Sequence, residues 1–148
     1  MKQIPFAEAY KIVMNSAFET GTEIIDFTGS LNRVLKADII SDTDMPPFNK
    51  STVDGYACRR TDLGAELELI ETIQAGKSPL KKITAGQCSK IMTGAAIPDG
   101  ADMVFMVEDS ALLISGRIKC TGSFTKDNIS PKGEDIRSGD RVLETGRF

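Results

Sequence analysis

The run Met45-Pro46-Pro47-Phe48-Asn49-Lys50-Ser51-Thr52-Val53-Asp54-Gly55-Tyr56-Ala57 constrains this chain more than any other stretch. Its adjacent prolines fix φ, remove two backbone N–H donors and hold the preceding residues extended. Phe48 reads as a buried anchor behind them. An Asp-Gly pair is most often a turn. With Val53 before it and Tyr56-Ala57-Cys58 after it, the pair also reads as a strand that presents Asp54 at a rim. Spacing alone leaves both readings open.

A second block, Ile91 to Val104, reads IMTGAAIPDGADMV, and a third, Lys132 to Ile136, reads KGEDI. The three blocks resemble the signatures of the MoeA/gephyrin family, the molybdopterin molybdenumtransferases: PPF-x-x-S-x-x-DGYA, IMTGA-x-IP-x-GAD-x-V and RGEDI. They stand in the family's order and spread over most of the chain.

Composition removes several alternatives. A chain of 148 residues makes one or two small domains. The net charge is −3 and no basic tract stands out, so nucleic acid is a poor partner. No run of apolar residues has the length of a membrane span and no signal-peptide pattern is visible, which reads as a cytoplasmic chain with no membrane partner. The sequence has no His, so His-based acid–base chemistry and His–metal sites are excluded. Cys58, Cys88 and Cys120 fit no zinc spacing and read as small apolar residues in a reducing compartment.

Along the chain, residues 4–17 predict an amphipathic helix, with Phe6, Tyr10, Val13, Met14 and Ala17 on one face, turned to the core or to a second copy. Thr22 to Phe27 predicts a short strand. Asn32 stands where the family has Gly, a mild change because Asn tolerates positive φ. From Ser51 onward, short strands separated by glycine are expected: Val53–Arg59, Leu67–Ile73, Gln87–Met92, Met103–Glu108 and Leu112–Lys119. The fold class is therefore α+β, mostly β. The glycine-rich strands read as a small β-barrel.

The resemblance implies that this barrel, residues 51–123, is inserted into an elongated α/β first domain built from both chain ends, residues 1–50 and 124–148. It also implies that members continue for a few hundred residues, into a larger α/β domain and a further β-barrel domain. On that view the chain is a truncated piece or one product of a split gene.

The reaction implied is insertion of molybdate into adenylylated molybdopterin, with loss of AMP, to give molybdenum cofactor. Mg²⁺ assists, and the family acts as a homodimer whose pocket lies between two subunits. A molybdopterin adenylyltransferase is a further expected partner. Asp54 aligns with the Asp needed for activity and is the catalytic candidate. Ser51, Gly55, Thr93 and Gly94 are the substrate-binding candidates. No complete metal site is assigned to this chain, although Asp54 is a candidate Mg²⁺ contact. Thr93-Gly94 would let a backbone approach an anion and donate N–H bonds. Asn49-Lys50 stands where Asp-Asn is usual, and Ser130-Pro131-Lys132 where arginines are usual. Those departures weaken any anion site near 130–132. They also leave room for the alternative, a non-catalytic dimerisation and scaffold module of the same fold. The fragment alone is expected to be inactive.

Overall fold

The computed structural model describes residues 3–18, 20–123 and 126–148. One helix and ten strands are assigned there: α1 (Phe6–Ser16), β1 (Ile39–Ile40), β2 (Lys50–Ser51), β3 (Gly55–Cys58), β4 (Glu66–Ile73), β5 (Gln87–Ile91), β6 (Met103–Met106), β7 (Ser110–Leu112), β8 (Ile118–Cys120), β9 (Ile129–Ser130) and β10 (Arg141–Leu143). The protein is mostly β with a single α-helix among the described residues. Its contacts divide it into two units, residues 1–38 with 144–148, and residues 39–143. The expected domain boundary at 123/124 abuts Phe124 and Thr125, which lie outside the described residues.

In the first unit both chain ends meet. Leu35 N donates to Arg147 O and Gly146 N to Leu35 O, both at 2.8 Å, and Thr145 N donates to Asp38 Oδ1 at 2.7 Å. Helix α1 starts after Pro5, whose carbonyl accepts from Glu8 N and Ala9 N, and stops where Ala17 turns extended. Its predicted apolar face forms, but no residue of the helix is buried; Phe6 is 84% exposed and Val13 67%. The strand expected over Thr22–Phe27 is absent. Asp26 instead accepts from Thr28 N and Thr28 Oγ1, capping a 3₁₀ turn at Phe27–Gly29. A local side-chain cap has prevailed over weak strand propensity because no neighbouring strand offers ladder bonds. Asn32 adopts φ 63°, as its place in the sequence requires.

The second unit is built on a six-stranded sheet in the order β6-β3-β5-β4-β8-β7. Strand β3 is antiparallel to both neighbours, and β4 runs parallel to β5. Two shorter ladders, β1-β10 and β2-β9, join the flanking segments. The continuous strand expected over Leu112–Lys119 is instead a hairpin. Leu113 N donates to Arg117 O and Gly116 N to Leu113 O, so β7 and β8 pair across a turn. Apolar residues on both arms hid the turn, in which Ile114 is fully exposed.

Two clusters cover the two faces of β3. One holds Tyr56, Cys58, Leu67, Cys88, Met103, Phe105, Ile118 and Cys120; the other holds Ala57, Ile73, Ile91, Ala95 and Val104. Successive β3 residues face opposite ways, and all four are buried. Tyr56 stacks on Phe105 with ring centroids 5.3 Å apart. The three thiols are free and buried, and burial pushes Cys58 and Cys88 up to about 12. They pack as small apolar groups, as the sequence suggests.

Ser89 lies opposite Ala57 in the second cluster, and its hydroxyl finds no partner. Leaving a buried hydroxyl unsatisfied costs about 1–3 kcal/mol. Ser89→Ala is therefore expected to leave stability unchanged or raise it by up to about 1 kcal/mol in urea unfolding. A loss above about 1 kcal/mol would show that the hydroxyl is satisfied.

Candidate functional site

The proline run enters the site from below. Pro46 is buried and its carbonyl accepts from Gly133 N at 2.9 Å; Met45 O accepts from Asp135 N and Ile136 N. The KGEDI block is thus fastened to the proline run through the backbone. Phe48, expected to be buried, is 42% exposed. The anchor is Pro46, because the ring of Phe48 projects after the prolines have fixed the backbone.

Past the prolines, the chain makes a tight exchange with the IMTGA block. Ser51 N donates to Ala95 O at 3.0 Å, and Gly94 N donates to Ser51 O at 2.8 Å. Ser51 is 1% exposed, and its hydroxyl donates to Val53 O at 2.6 Å. That local bond turns the chain toward Asp54. Ser51 therefore lies under the lip, and its expected direct contact with a substrate is not available in this geometry. Gly55 is also buried. A Cβ there would sit 2.0 Å from Phe105 O, so the glycine serves close approach of β3 to β6.

Asp54 and Thr93 are brought together at the exposed end of this arrangement. Thr93 N and Thr93 Oγ1 both donate to Asp54 Oδ1, at 2.6 and 2.8 Å. Residues 39 apart in sequence thus close one bond pair at the rim of the sheet. Both open readings of Asp-Gly are partly right: Asp54 stands at the start of a strand and accepts local N–H and O–H donors. These two bonds hold its carboxyl below the ordinary carboxylate value, against slight desolvation, and the charge of Lys90 acts in the same direction. Asp54 stays ionised at neutral pH, with Oδ2 taking no hydrogen bond among the described residues.

Gly94 has φ 81°, with open space where a Cβ would stand. Its conformation carries the turn, yet its N–H and that of Thr93 are both engaged within the protein. The amides that the sequence offered to an anion are donors to Ser51 and Asp54 instead. Three of the residues that depart from the family pattern are likewise tied internally. Asn49 Oδ1 accepts from Lys132 N at 2.8 Å, Lys132 Nζ lies 3.2 Å from Asp44 Oδ2, and Ser130 Oγ donates to Glu134 Oε2 at 2.6 Å. This is a structural clasp between two backbone segments, in which the side chains of Asn49, Ser130 and Lys132 already have partners.

Among the described residues no group of three or more His, Cys, Asp or Glu is placed to hold a metal, and no helix is long and apolar enough to cross a membrane. Asp54 thus fits a single carboxylate contact to a cation shared with a ligand, and an all-protein cage does not fit. Lys90, half-buried on β5, escaped notice in the sequence. The strand register was needed to find it.

The family model described as "MoeA N-terminal region (domain I and II)" matches residues 4–148. A molybdopterin molybdenumtransferase of Staphylococcus epidermidis is 39% identical over 157 aligned residues, covering 97% of this chain and 36% of that protein. The molybdopterin molybdenumtransferase of Staphylococcus aureus strain Mu50 is 36% identical over 152, again covering 97% of this chain and 36% of that protein. The crystal structure of the molybdopterin biosynthesis MoeA protein from Pyrococcus horikoshii OT3 superposes with a TM-score of 0.85 at 33% identity, over 97% of this chain and 40% of that one. The chain therefore spans little more than a third of the length of the curated relatives it matches.

Proposed function

Because this chain belongs to the MoeA N-terminal region family (domains I and II), we propose that it supplies the first side of a molybdopterin molybdenumtransferase site. The reaction inserts molybdate into adenylylated molybdopterin, with loss of AMP. The observation that carries the reading is the exposed Asp54–Thr93 pair, formed by two of the family's three sequence blocks. Asp54 is the proposed catalytic carboxylate, and Thr93 fixes its Oδ1 so that Oδ2 faces the ligand. Gly94 shapes the turn beside it, and Ser51 and Gly55 hold the substrate-binding lip from beneath. Bound Mg²⁺ would supply a positive charge shared between the Asp54 carboxylate and substrate phosphate, offsetting their repulsion.

The domain reading proposed with it is a small barrel of residues 51–123 within a first domain of residues 1–50 and 124–148. The active species is proposed to be a cytoplasmic homodimer, with a molybdopterin adenylyltransferase delivering substrate. Support for the dimer comes from the first unit: no described residue there is buried, and α1 presents Phe6, Tyr10, Val13 and Met14 to solvent. A contiguous apolar face of that kind marks an association surface.

The test is a chimera in which this chain replaces the corresponding N-terminal region of the Staphylococcus epidermidis molybdenumtransferase. The chimera is expected to restore molybdenum insertion in a cofactor-reconstitution assay, while the chain alone gives none. A folded, dimeric chimera without activity would favour the scaffold reading. Full-rate turnover by residues 1–148 alone would overturn the claim that they hold only one side of the site.

A further inference from the structure

The register of the sheet places an unpaired cation beside Asp54. Val107 N donates to Asp54 O at 3.0 Å, so the β3–β6 ladder extends to Asp54 and keeps it in phase with Tyr56 and Cys58. On β5, Lys90 is directly opposite Tyr56 and in phase with Cys88, which is opposite Cys58. Asp54, Tyr56 and Lys90 therefore share one face, with Lys90 the diagonal cross-strand neighbour of Asp54. Diagonal neighbours in an antiparallel pair lie about 7–8 Å apart, within reach of a long side chain.

Lys90 is half-buried and its backbone is held in the ladders with β3 and β4, yet its side chain has no hydrogen-bond or ion-pair partner among the described residues. Its charge is felt at Asp54 without contact. The donors of Thr93, Gly94 and the Ser51 hydroxyl are engaged: Thr93 N and Oγ1 with Asp54, Gly94 N with Ser51 O, and the Ser51 hydroxyl with Val53 O. With no carboxylate in direct contact, the Lys90 ammonium keeps its three donors open to an anion from solution.

We propose that Lys90 is the anion-holding residue of this lip, taking a tetrahedral oxyanion, either a phosphoryl group or an oxometallate, beside the Asp54 carboxylate. The proposal rests on the reading of the rim as a substrate site, and adds to it the residue that would hold the anion. Lys90 offers a point charge with three donors and no fixed fork, which suits an oxyanion presented at more than one angle. Asp54 opposes the same anion, so this site on its own binds weakly.

The experiment titrates inorganic phosphate and, separately, molybdate into the whole chain, following the Thr93 and Gly94 amide signals by NMR. Saturable shifts are expected with at least one anion, and the tighter of the two identifies the natural group. Lys90→Gln is expected to weaken binding at least about fivefold, and Lys90→Arg to retain it within about twofold. Lys119→Gln makes the same net charge change at the one exposed position of β8 and is expected to bind like the unaltered chain. Asp54→Asn is expected to tighten binding. Equal binding by Lys90→Gln and the unaltered chain would overturn the proposal, as would the absence of any saturable shift. If Lys90→Gln does not fold, Lys90→Arg and Asp54→Asn decide: weakened binding by both overturns it. These titrations do not involve turnover, so their outcome is separable from that of the chimera.

Discussion

Gly55→Ala is expected to destabilise the second unit by about 3 kcal/mol or more, a large effect for a single added methyl. The Cβ would stand 2.0 Å from Phe105 O and 2.9 Å from both Phe105 C and Val104 Cγ1. Nothing flexible lies in its way: Val104 and Phe105 are both 0% exposed and belong to the two opposite clusters. Relief would require β3 to move away from β6, and that movement would break the ladder that aligns Asp54. Gly64→Ala is the control. Gly64 has φ 88° and open space at its Cβ, so only backbone strain, about 1 kcal/mol, applies there. Urea midpoints at constant m-value measure both. A loss at Gly55 no greater than that at Gly64 would show that β3 and β6 are less tightly apposed than described.

The two variants separate aspects of the chain that the sequence conveys with unequal clarity. Helix α1 and strands β3 to β6 follow from apolar spacing and glycine punctuation, because those signals are local. The Asp54–Thr93 meeting follows from two motif blocks that the resemblance ties to one site. What the sequence withholds is register. The parallel pairing of β4 with β5, the hairpin turn between Leu113 and Arg117, and the diagonal relation of Lys90 to Asp54 all depend on which residues face each other. Composition carries no record of that, since sliding a strand by one residue changes every facing pair. Phe48 misled for a related reason: its hydrophobicity is intrinsic, whereas its exposure is set by the direction in which Pro46-Pro47 leave the backbone. The amides of Thr93 and Gly94 show the same limit, as their engagement with Asp54 and Ser51 becomes visible only when partners across the sheet are known.

The second large effect concerns chemistry and leaves stability almost unchanged. Asp54 is exposed, its side chain touches only Thr93 by hydrogen bonds, and no buried group depends on it. Replacing it should therefore leave the unit folded. The Thr93 amide and hydroxyl it engages would turn to water at the open rim. In the chimera, Asp54→Ala is expected to lower turnover at least tenfold, about 1.4 kcal/mol of barrier. Thr93→Ser keeps both donors and is expected to retain most activity. Thr93→Val keeps the amide alone and is expected to fall between. That graded order would distinguish an oriented carboxylate from a charge that merely fills the rim.

The central claim is that an ionised carboxylate, fixed on one oxygen by Thr93 and open on the other, is the reactive group this chain contributes. Single-turnover molybdenum insertion by the Asp54→Ala chimera, beside an unaltered chimera of equal thermal stability, measures it most directly. A rate at least tenfold lower, about 1.4 kcal/mol in barrier, is expected at saturating substrate. An unchanged rate would reduce Asp54 to a turn residue and contradict the account.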